Sequence, residues 1–478
     1  MQRSLSVWDG TALLFGSIVG SGIFASPGSV LLHSGMSGQL ALLVWTVAGF
    51  ISYCGALCYL ELAIKLPSAG GESHYLAHYF GKTGGFLFTW TTALVARPCS
   101  FAITTLVCAR YLCRFWAGEG AGDGEHEGYC NGDVTLQLSL AVAVLVLLCT
   151  LSSKLITVTL KAASAASMLG LAVAMGIGLY FAWKHPAKVD ITPLPALSEV
   201  SGTELTTAFL SALWSFDGWN TLNYASEEFA HPSRDLPLIV QRCMLGITAV
   251  FVFVNLAYLT VLDSQVVATS ESIGVDLAKA AFGMWGERIM PLFVASSAFG
   301  ASVGGLFSAS RLVYSTGNEL GGGELLTRLT WQLPVNALVC QFGLGVGFLF
   351  VGNFDQLVGV FSCATWVFYL ATVSGLVRSR FRTDWDGKGD YVAPTYALVL
   401  FPITCLLLVL FQIAGQPKDS LLAFGFIALG VPFYRLRRVV WCQRYACCFA
   451  GTVVTSEEEE GGETERVTLP VKSPYQTF

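Results

Sequence analysis

Apolar residues run through this chain in long blocks, and short polar or glycine- and proline-rich segments separate the blocks. Most blocks reach about 20 residues, the length that an α-helix needs to cross a bilayer. They are too long and too numerous for the strands of a membrane barrel, so helices must satisfy the backbone hydrogen bonds. The pattern predicts twelve membrane helices, at about residues 7–32, 38–64, 84–114, 134–152, 162–183, 204–226, 244–262, 289–314, 333–351, 355–377, 393–414 and 420–434.

Composition excludes a soluble enzyme. Hydrophobic residues make up 54% of the 478, the mean hydropathy is +0.61, and charged residues make up 12%. A typical soluble domain carries about 25% charged residues. The net charge of −5 shows no basic excess and argues against a nucleic-acid partner. No catalytic, cofactor-binding or metal-binding constellation stands at membrane depth, so we predict neither an enzyme nor a cofactor.

The distribution of Lys and Arg predicts the orientation in the membrane. If the N-terminus lies in the cytoplasm, 18 of the 27 Lys and Arg residues fall on cytoplasmic segments and five on the opposite loops. An even number of helices then places both termini in the cytoplasm. Residues 1–6 are predicted to be a short cytoplasmic N-terminus, and residues 435–478 a disordered cytoplasmic tail.

The first informative motif lies in the middle of the first apolar block. Gly16, Gly20 and Gly22 stand within seven residues, and glycine is a poor residue for a helix interior. A break at Gly20–Gly22 would expose backbone N–H groups that suit a carboxylate and carbonyls that suit an ammonium group. Broken helices at mid-membrane are the usual substrate cradle of secondary transporters. Alternatively, Gly16 and Gly20 form a small-residue contact with another helix.

The second motif, residues 214–220 with the sequence WSFDGWN, interrupts the sixth block with an acid and a glycine. An aspartate inside a membrane helix is costly, so Asp217 should face a cavity or a partner. Two interrupted helices at an offset of five indicate two inverted five-helix repeats with the site between them. Alternatively, Asp217 is a buried structural acid paired with another group of the chain.

Together these pieces resemble the light chains of the heteromeric amino-acid transporters, in the amino acid–polyamine–organocation superfamily. The resemblance runs from about residue 7 to 435. The matching segments are Gly20–Phe24, Glu61-Leu62, Gly70–Glu72, Arg97-Pro98, Phe216–Tyr224, Glu227-Glu228 and Arg234–Pro237. The resemblance implies an all-α membrane protein of about twelve helices with an inverted five-helix repeat (LeuT-like) core. In it, helices 1 and 6 are broken, residues 7–377 form the transport core, and residues 378–434 form helices 11 and 12.

The resemblance also implies roles for individual residues. Ile18, Ser21 and Gly22 would hold the α-amino and α-carboxyl groups of the substrate, together with the neighbouring backbone of Val19 and Ile23. Trp214 would close over the substrate side chain. Ser215 and Asp217 would lie in the unwound part of helix 6, and Asn220 would support the site.

The implied activity is sodium-independent exchange of amino acids across the plasma membrane by alternating access. A carboxylate at Asp217 resembles the b-zero-plus type, which handles cystine, cationic and large neutral amino acids. An aromatic-preferring relative is also open, because Trp214 and Phe216 would suit ring stacking. Two other classes remain as alternatives: an ion-coupled symporter that acts alone, and a transport-inactive partner or sensor.

Cys130 lies in a predicted extracellular loop. A single outward-facing cysteine in an oxidising compartment suggests pairing with another chain. The resemblance implies the same, because such a cysteine joins the light chain to a single-span glycoprotein heavy chain.

Two departures from the family pattern suggest a divergent member. Met168 stands where family members carry a lysine in the fifth helix, and Val303 lies where an Asn-Gly pair is usual in the eighth. Met168 puts the polar support of the core in doubt.

Overall fold

The computed structural model describes residues 6–68, 70–117, 132–184, 200–270, 272–317, 320, 323–330, 333–350, 354–381 and 391–449. Across these ranges the chain is helical and forms no β-strand. The helices of the first half are α1 Val7–Ile18, α2 Gly22–Ala25, α3 Pro27–His33, α4 Gly38–Lys65, α5 Glu72–Phe80, α6 Lys82–Thr91, α7 Arg97–Ala117, α8 Gly132–Thr150 and α9 Ser153–Lys184.

The second half continues in the same way. Its helices are α10 Gly202–Ser215, α11 Thr221–Tyr224, α12 Pro232–Val261, α13 Ser264–Thr269, α14 Ile273–Phe282, α15 Met284–Thr316, α16 Gly323–Leu326, α17 Val335–Phe348, α18 Phe354–Arg380, α19 Thr395–Gly415 and α20 Pro417–Phe449. The backbone of α20 stays helical past residue 435, where the tail was predicted to begin.

The protein is a multi-pass membrane protein. Within the described ranges, nine helical stretches are long and apolar enough to cross a bilayer, which confirms the all-α membrane class. They are Val7–Ala25, Gly38–Lys65, Glu72–Trp116, Gly132–Thr150, Lys154–Lys184, Pro232–Val261, Met284–Thr316, Phe354–Arg380 and Thr395–Gly415. Two further apolar helices, α17 and the Ser420–Leu436 part of α20, are shorter. Helix α10, which follows the fifth of these stretches, has 14 residues.

A π-helical turn at Thr92–Ala96 joins α6 to α7 and places Arg97 at the first position of α7. Pro98 has no backbone N–H and cannot complete a regular α-helical turn here, which accounts for the local widening. The freed backbone is partly satisfied from another helix, because Gln341 donates its side-chain N–H to the Ala93 carbonyl at 2.6 Å.

The core of the first compact unit, Met1–Pro432, surrounds α10. This helix packs against α3, α4, α18 and α19, while α4 packs against α12 and α15 against α7 and α9. Just after α10, the Phe216 ring lies against Trp45 of α4 and Phe251 of α12, at centroid distances of 6.1 and 4.9 Å. This aromatic cluster fixes the end of α10 in the centre of the helix bundle.

Candidate functional site

The first apolar block is broken where its glycines predict a break. Helix α1 ends at Ile18, Val19 has an extended backbone conformation, and helix α2 starts at Gly22. The non-helical residues are thus 19–21, one residue earlier than the predicted Gly20–Gly22. Among the loop and cap hydrogen bonds of the described chain, none uses the N–H of Ser21, Gly22 or Ile23. These donors are available to an anion.

The alternative interpretation, in which Gly16 and Gly20 pack against another helix of this chain, is wrong for the described residues. A Cβ built on either glycine would meet no atom within 4 Å in the described structure. A small-residue contact requires the opposite, a neighbouring helix close enough to exclude a side chain.

The sixth apolar block is interrupted at residues 216–220, between α10 and α11. Gly218 has a φ of +99°, a conformation that favours glycine, and a Cβ there would lie 2.8 Å from the Ser17 carbonyl oxygen. A Cβ on Gly22 would lie 2.8 Å from the Ser215 Cα. The two interruptions therefore lie directly against each other.

Serine hydroxyls join the two broken helices beside their point of contact. Ser215 donates to the Ser26 hydroxyl at 2.9 Å, and one turn earlier Ser211 shares a hydrogen bond with Ser29 at 2.9 Å. Ser29 also donates to Asp355 at the start of α18, at 2.8 Å. Buried polar groups normally require such partners, so these contacts stabilise the packing of α10 against residues 26–29.

Trp214 is the residue predicted to close over the substrate side chain. Its side chain is buried, and its ring meets Phe354 edge-to-face at a centroid distance of 5.3 Å. Phe216 differs from the expectation, because it is fully buried in the cluster with Trp45 and Phe251 and cannot stack on a substrate. The adjacent Asp217 is half-buried.

A polar cluster that the sequence did not reveal supports this end of the site. Asn220 and Tyr224 both donate hydrogen bonds to the buried carboxylate of Glu72, on α5. The positive charge of Arg97 acts on both Glu72 and Asp217. Asn220 is thus held by Glu72, which lies 148 residues earlier in the sequence. The glycine pair before Glu72 is the signal that could have drawn attention to it.

The two helix breaks bring the predicted substrate-binding residues together. All nine predicted substrate-binding residues lie within or beside the two interruptions: Ile18, Val19, Ser21, Gly22, Ile23, Trp214, Ser215, Asp217 and Asn220. Asn220, at the far end of the second interruption, is bound to Glu72. Cys130 lies outside the described residues.

The fifth predicted membrane helix, α9, carries Met168 where a lysine was expected. Met168 is 36% exposed, whereas its neighbour Ser167 is buried. Ser167 donates to Ser297 of α15 at 2.7 Å. The polar contact between these helices is therefore made by Ser167, one residue before the predicted position. Val303 is fully buried in the core.

Comparison with known proteins identifies the family. The model for the amino acid permease family matches residues 5–433. The b(0,+)-type amino acid transporter 1 of Mus musculus is 31% identical over 93% of this chain and 90% of its own length. The human cystine/glutamate transporter is 28% identical over 92% and 86% of the two chains. The human large neutral amino acids transporter small subunit 2 is 29% identical over 100% and 90%. The chain therefore belongs to the amino acid permease family.

Proposed function

We propose that this permease is a sodium-independent exchanger of neutral, aromatic and cationic L-amino acids or cystine in the plasma membrane. One observation carries the proposal: two interrupted helices meet backbone to backbone at Gly22 and Ser215 and at Gly218 and Ser17. Such a junction can hold a zwitterion without fixed charges of its own, because helix ends present free N–H and C=O groups. The relatives named above are amino-acid transporters, which supports the same conclusion.

In this proposal the substrate α-carboxylate is held by the N–H groups of Ser21, Gly22 and Ile23. The α-ammonium group is held by the carbonyls of Ile18 and Val19. Trp214 closes over the substrate, and its contact with Phe354 steadies the closed position. Ser215 holds the two helices together through Ser26, and Asp217 faces the substrate side chain.

We further infer twelve membrane helices, an inverted five-helix repeat and cytoplasmic termini. Two interruptions five apolar blocks apart support the repeat. The nine long apolar stretches, with the three shorter helices α10, α17 and α20, support the number twelve. The excess of Lys and Arg on one set of loops supports the orientation.

Exchange is tested with purified protein in proteoliposomes. Uptake of labelled leucine is measured into vesicles that are empty or preloaded with leucine, each with and without an inward sodium gradient. We expect uptake only into preloaded vesicles, at the same rate with and without sodium. Uptake into empty vesicles that requires an ion gradient would instead show a symporter that acts alone. The absence of uptake in every condition, also with a heavy chain present, would show a transport-inactive protein.

Asp217→Gly is expected to impair exchange of lysine more than that of leucine, because a half-buried carboxylate pairs with a cationic side chain. Arg97 already attracts Asp217, so the expected difference is modest, about tenfold in kcat/KM. The measurement is competitive exchange of both labelled amino acids. Asp217→Asn is the matched variant, because it removes the charge without adding a glycine beside Gly218. Equal losses for lysine and leucine in both variants would contradict the role of the charge.

We also propose a single-span glycoprotein heavy chain, linked through a disulfide from Cys130. Cys113, near the end of α7, takes part in a disulfide. The other nine cysteines with described side chains form none. A bond from Cys113 to Cys130 would leave the heavy chain without its partner.

Cys130→Ser is expected to abolish a high-mass species on a non-reducing gel when the chain is expressed with a heavy chain. A thiol can form only one disulfide, so Cys113→Ser should leave that species in place. A gel with no high-mass species for the unaltered chain, together with a Cys113–Cys130 peptide in mass spectrometry, would overturn the covalent link.

A further inference from the structure

Glu72 lies between two groups of helices in the first compact unit. It is the first residue of α5, which packs against α6 and α18. Its carboxylate bonds across to the second helix interruption and to α11, which packs against α1 and α4. Glu72 is thus a polar link between the helices around α18 and the broken helices of the central site.

Helix α5 is fixed to α18 by close packing. A Cβ built on Gly375 of α18 would lie 2.5 Å from the ring of Tyr79 of α5. Leu76 of α5 shares a buried apolar cluster with Phe88 of α6 and Phe368 of α18. Such close packing leaves little room for α5 to move without α18. A separation of α5 from the broken helices would therefore break the contacts of Glu72.

These contacts use both oxygens of the Glu72 carboxylate. Asn220 donates to Oε1 and Tyr224 to Oε2, and the Glu72 side chain is only 1% exposed. The backbone also approaches closely, because a Cβ on Gly71, which has a φ of +50°, would collide with the ring of Tyr224. The positive charge of Arg97 acts on the same carboxylate. Hydrogen bonds to a carboxylate are stronger than those between neutral groups, so two of them form a firm but reversible contact.

In the proposed orientation this contact lies between the central site and the cytoplasm. The chain passes from the outer end of α10 through the interruption to α11, and α12 then begins at the cytoplasmic face. Helix α5 follows the cytoplasmic end of α4, where Lys65 lies in the last turn. Asn220 and Tyr224 come after the contact of Ser215 with Gly22, and so lie on the cytoplasmic side of it.

We propose that Glu72 is a positioning residue that closes the cytoplasmic side of the central site by holding Asn220 and Tyr224. With both hydrogen bonds made, α11 is held against α5 and the route from the site to the cytoplasm is closed. When the bonds break, α11 separates from α5 and the site opens inward. Alternating access requires such a contact, which is made in one state and lost in the other. The role rests on the exchange proposed above.

Tyr224→Phe removes one of these hydrogen bonds and keeps the ring beside Gly71. The closed state then loses stability, and a larger fraction of the protein faces the cytoplasm. The apparent KM on each side varies inversely with the fraction of protein that faces that side. We therefore expect the ratio of the external to the internal KM for leucine to rise about tenfold. Glu72→Gln should change this ratio in the same direction.

Both constants are measured in cells that express the full-length chain, after subtraction of transport in cells without it. Influx at varied external leucine gives the external KM, and efflux at varied injected leucine gives the internal KM. Tyr75→Phe is the matched control, since it removes a buried hydroxyl of α5 that has no hydrogen-bond partner in the described structure. The ratio in this variant should stay within twofold of the ratio in the unaltered chain.

An unchanged or lower ratio in Tyr224→Phe and Glu72→Gln would overturn the proposal, even if the rate falls, because loss of rate alone would show a merely structural role. An equal rise in Tyr75→Phe would overturn it as well. The double variant Glu72→Gln with Tyr224→Phe should raise the ratio by less than the product of the two single changes, because both act on one contact. A rise equal to that product would show that the two residues act independently and would contradict the proposal.

A second measurement does not depend on transport. In hydrogen–deuterium exchange of the purified full-length chain, the backbone amides of α11 should exchange faster in Tyr224→Phe than in Tyr75→Phe, and those of α3 should not. If α11 exchanges equally in both variants, Glu72 does not hold it and the proposal fails. If no form of the protein transports leucine but the difference in α11 is present, the exchanger proposal fails while the role of Glu72 in holding α11 stands.

Discussion

Replacing Gly22 by alanine is expected to reduce exchange about a hundredfold at equal amounts of protein in the membrane. The new Cβ would lie 2.8 Å from the Ser215 Cα and 3.0 Å from its hydroxyl oxygen. Ordinary contacts begin near 3.4 Å, so the two backbones would have to separate by roughly half an ångström or more. Misplacement on this scale at a reacting or binding site can cost about two orders of magnitude. The measurement is exchange of labelled leucine in proteoliposomes.

Gly16→Ala is the matched control, because it also replaces a glycine of the first block by alanine. A Cβ at position 16 meets nothing within 4 Å in the described structure. Alanine there should be neutral or slightly favourable, since it suits a helix interior better than glycine. If Gly22→Ala exchanged leucine at more than half the rate of Gly16→Ala, the close approach of the two helices would not be essential to transport.

The helix breaks were predictable because their cause is local. Glycines and an aspartate within apolar blocks interrupt a membrane helix whatever the rest of the fold does. Their exact bounds were less accessible, since the ends of α1 and α2 depend on contacts with α10 and α12. The mutual closeness of Gly22 and Ser215 follows from packing between segments almost 200 residues apart, and no local pattern reports it.

The direction of a side chain around a break was also beyond reach. Phe216 and Asp217 are neighbours, yet the Phe216 ring is fully buried against Trp45 whereas Asp217 is half-buried. Once a helix unwinds, the 3.6-residue period no longer assigns faces. The same limit applies to register in the fifth helix, where Ser167 rather than Met168 faces α15. A helical pattern with small residues on several faces does not decide between adjacent positions.

The sequence also could not predict which residues form polar pairs across long distances in the chain. Glu72 with Asn220 and Tyr224, and Glu61 with Arg380, join residues from opposite halves of the chain. Each of these acids is recognisable as unusual because it lies in or beside an apolar helix. The partner, however, is chosen by the three-dimensional packing.

Glu61→Gln is expected to destabilise the protein by about 3–5 kcal/mol, the usual cost of breaking a buried ion pair. Glu61, near the end of α4, has a fully buried side chain. Its carboxylate accepts from Lys65 at 3.0 Å, from Arg380 of α18, and from the Ala393 backbone N–H at 2.8 Å, just before α19. Glutamine would leave the guanidinium, itself only 19% exposed, without its counter-charge. The measurement is chemical unfolding of the detergent-solubilised chain.

Two further variants separate this pair from a general effect of charge removal. Glu227→Gln makes the same chemical change at an exposed position and should alter the unfolding free energy by less than about 0.5 kcal/mol. The double variant Glu61→Gln with Arg380→Gln should recover part of the loss, because it also removes the guanidinium that Glu61→Gln alone leaves without its counter-charge. If the double variant were less stable than Glu61→Gln alone, the Glu61 carboxylate would stabilise the helix ends through Lys65 and Ala393. The ion pair between Glu61 of α4 and Arg380 of α18 would then not be the source of the stabilisation.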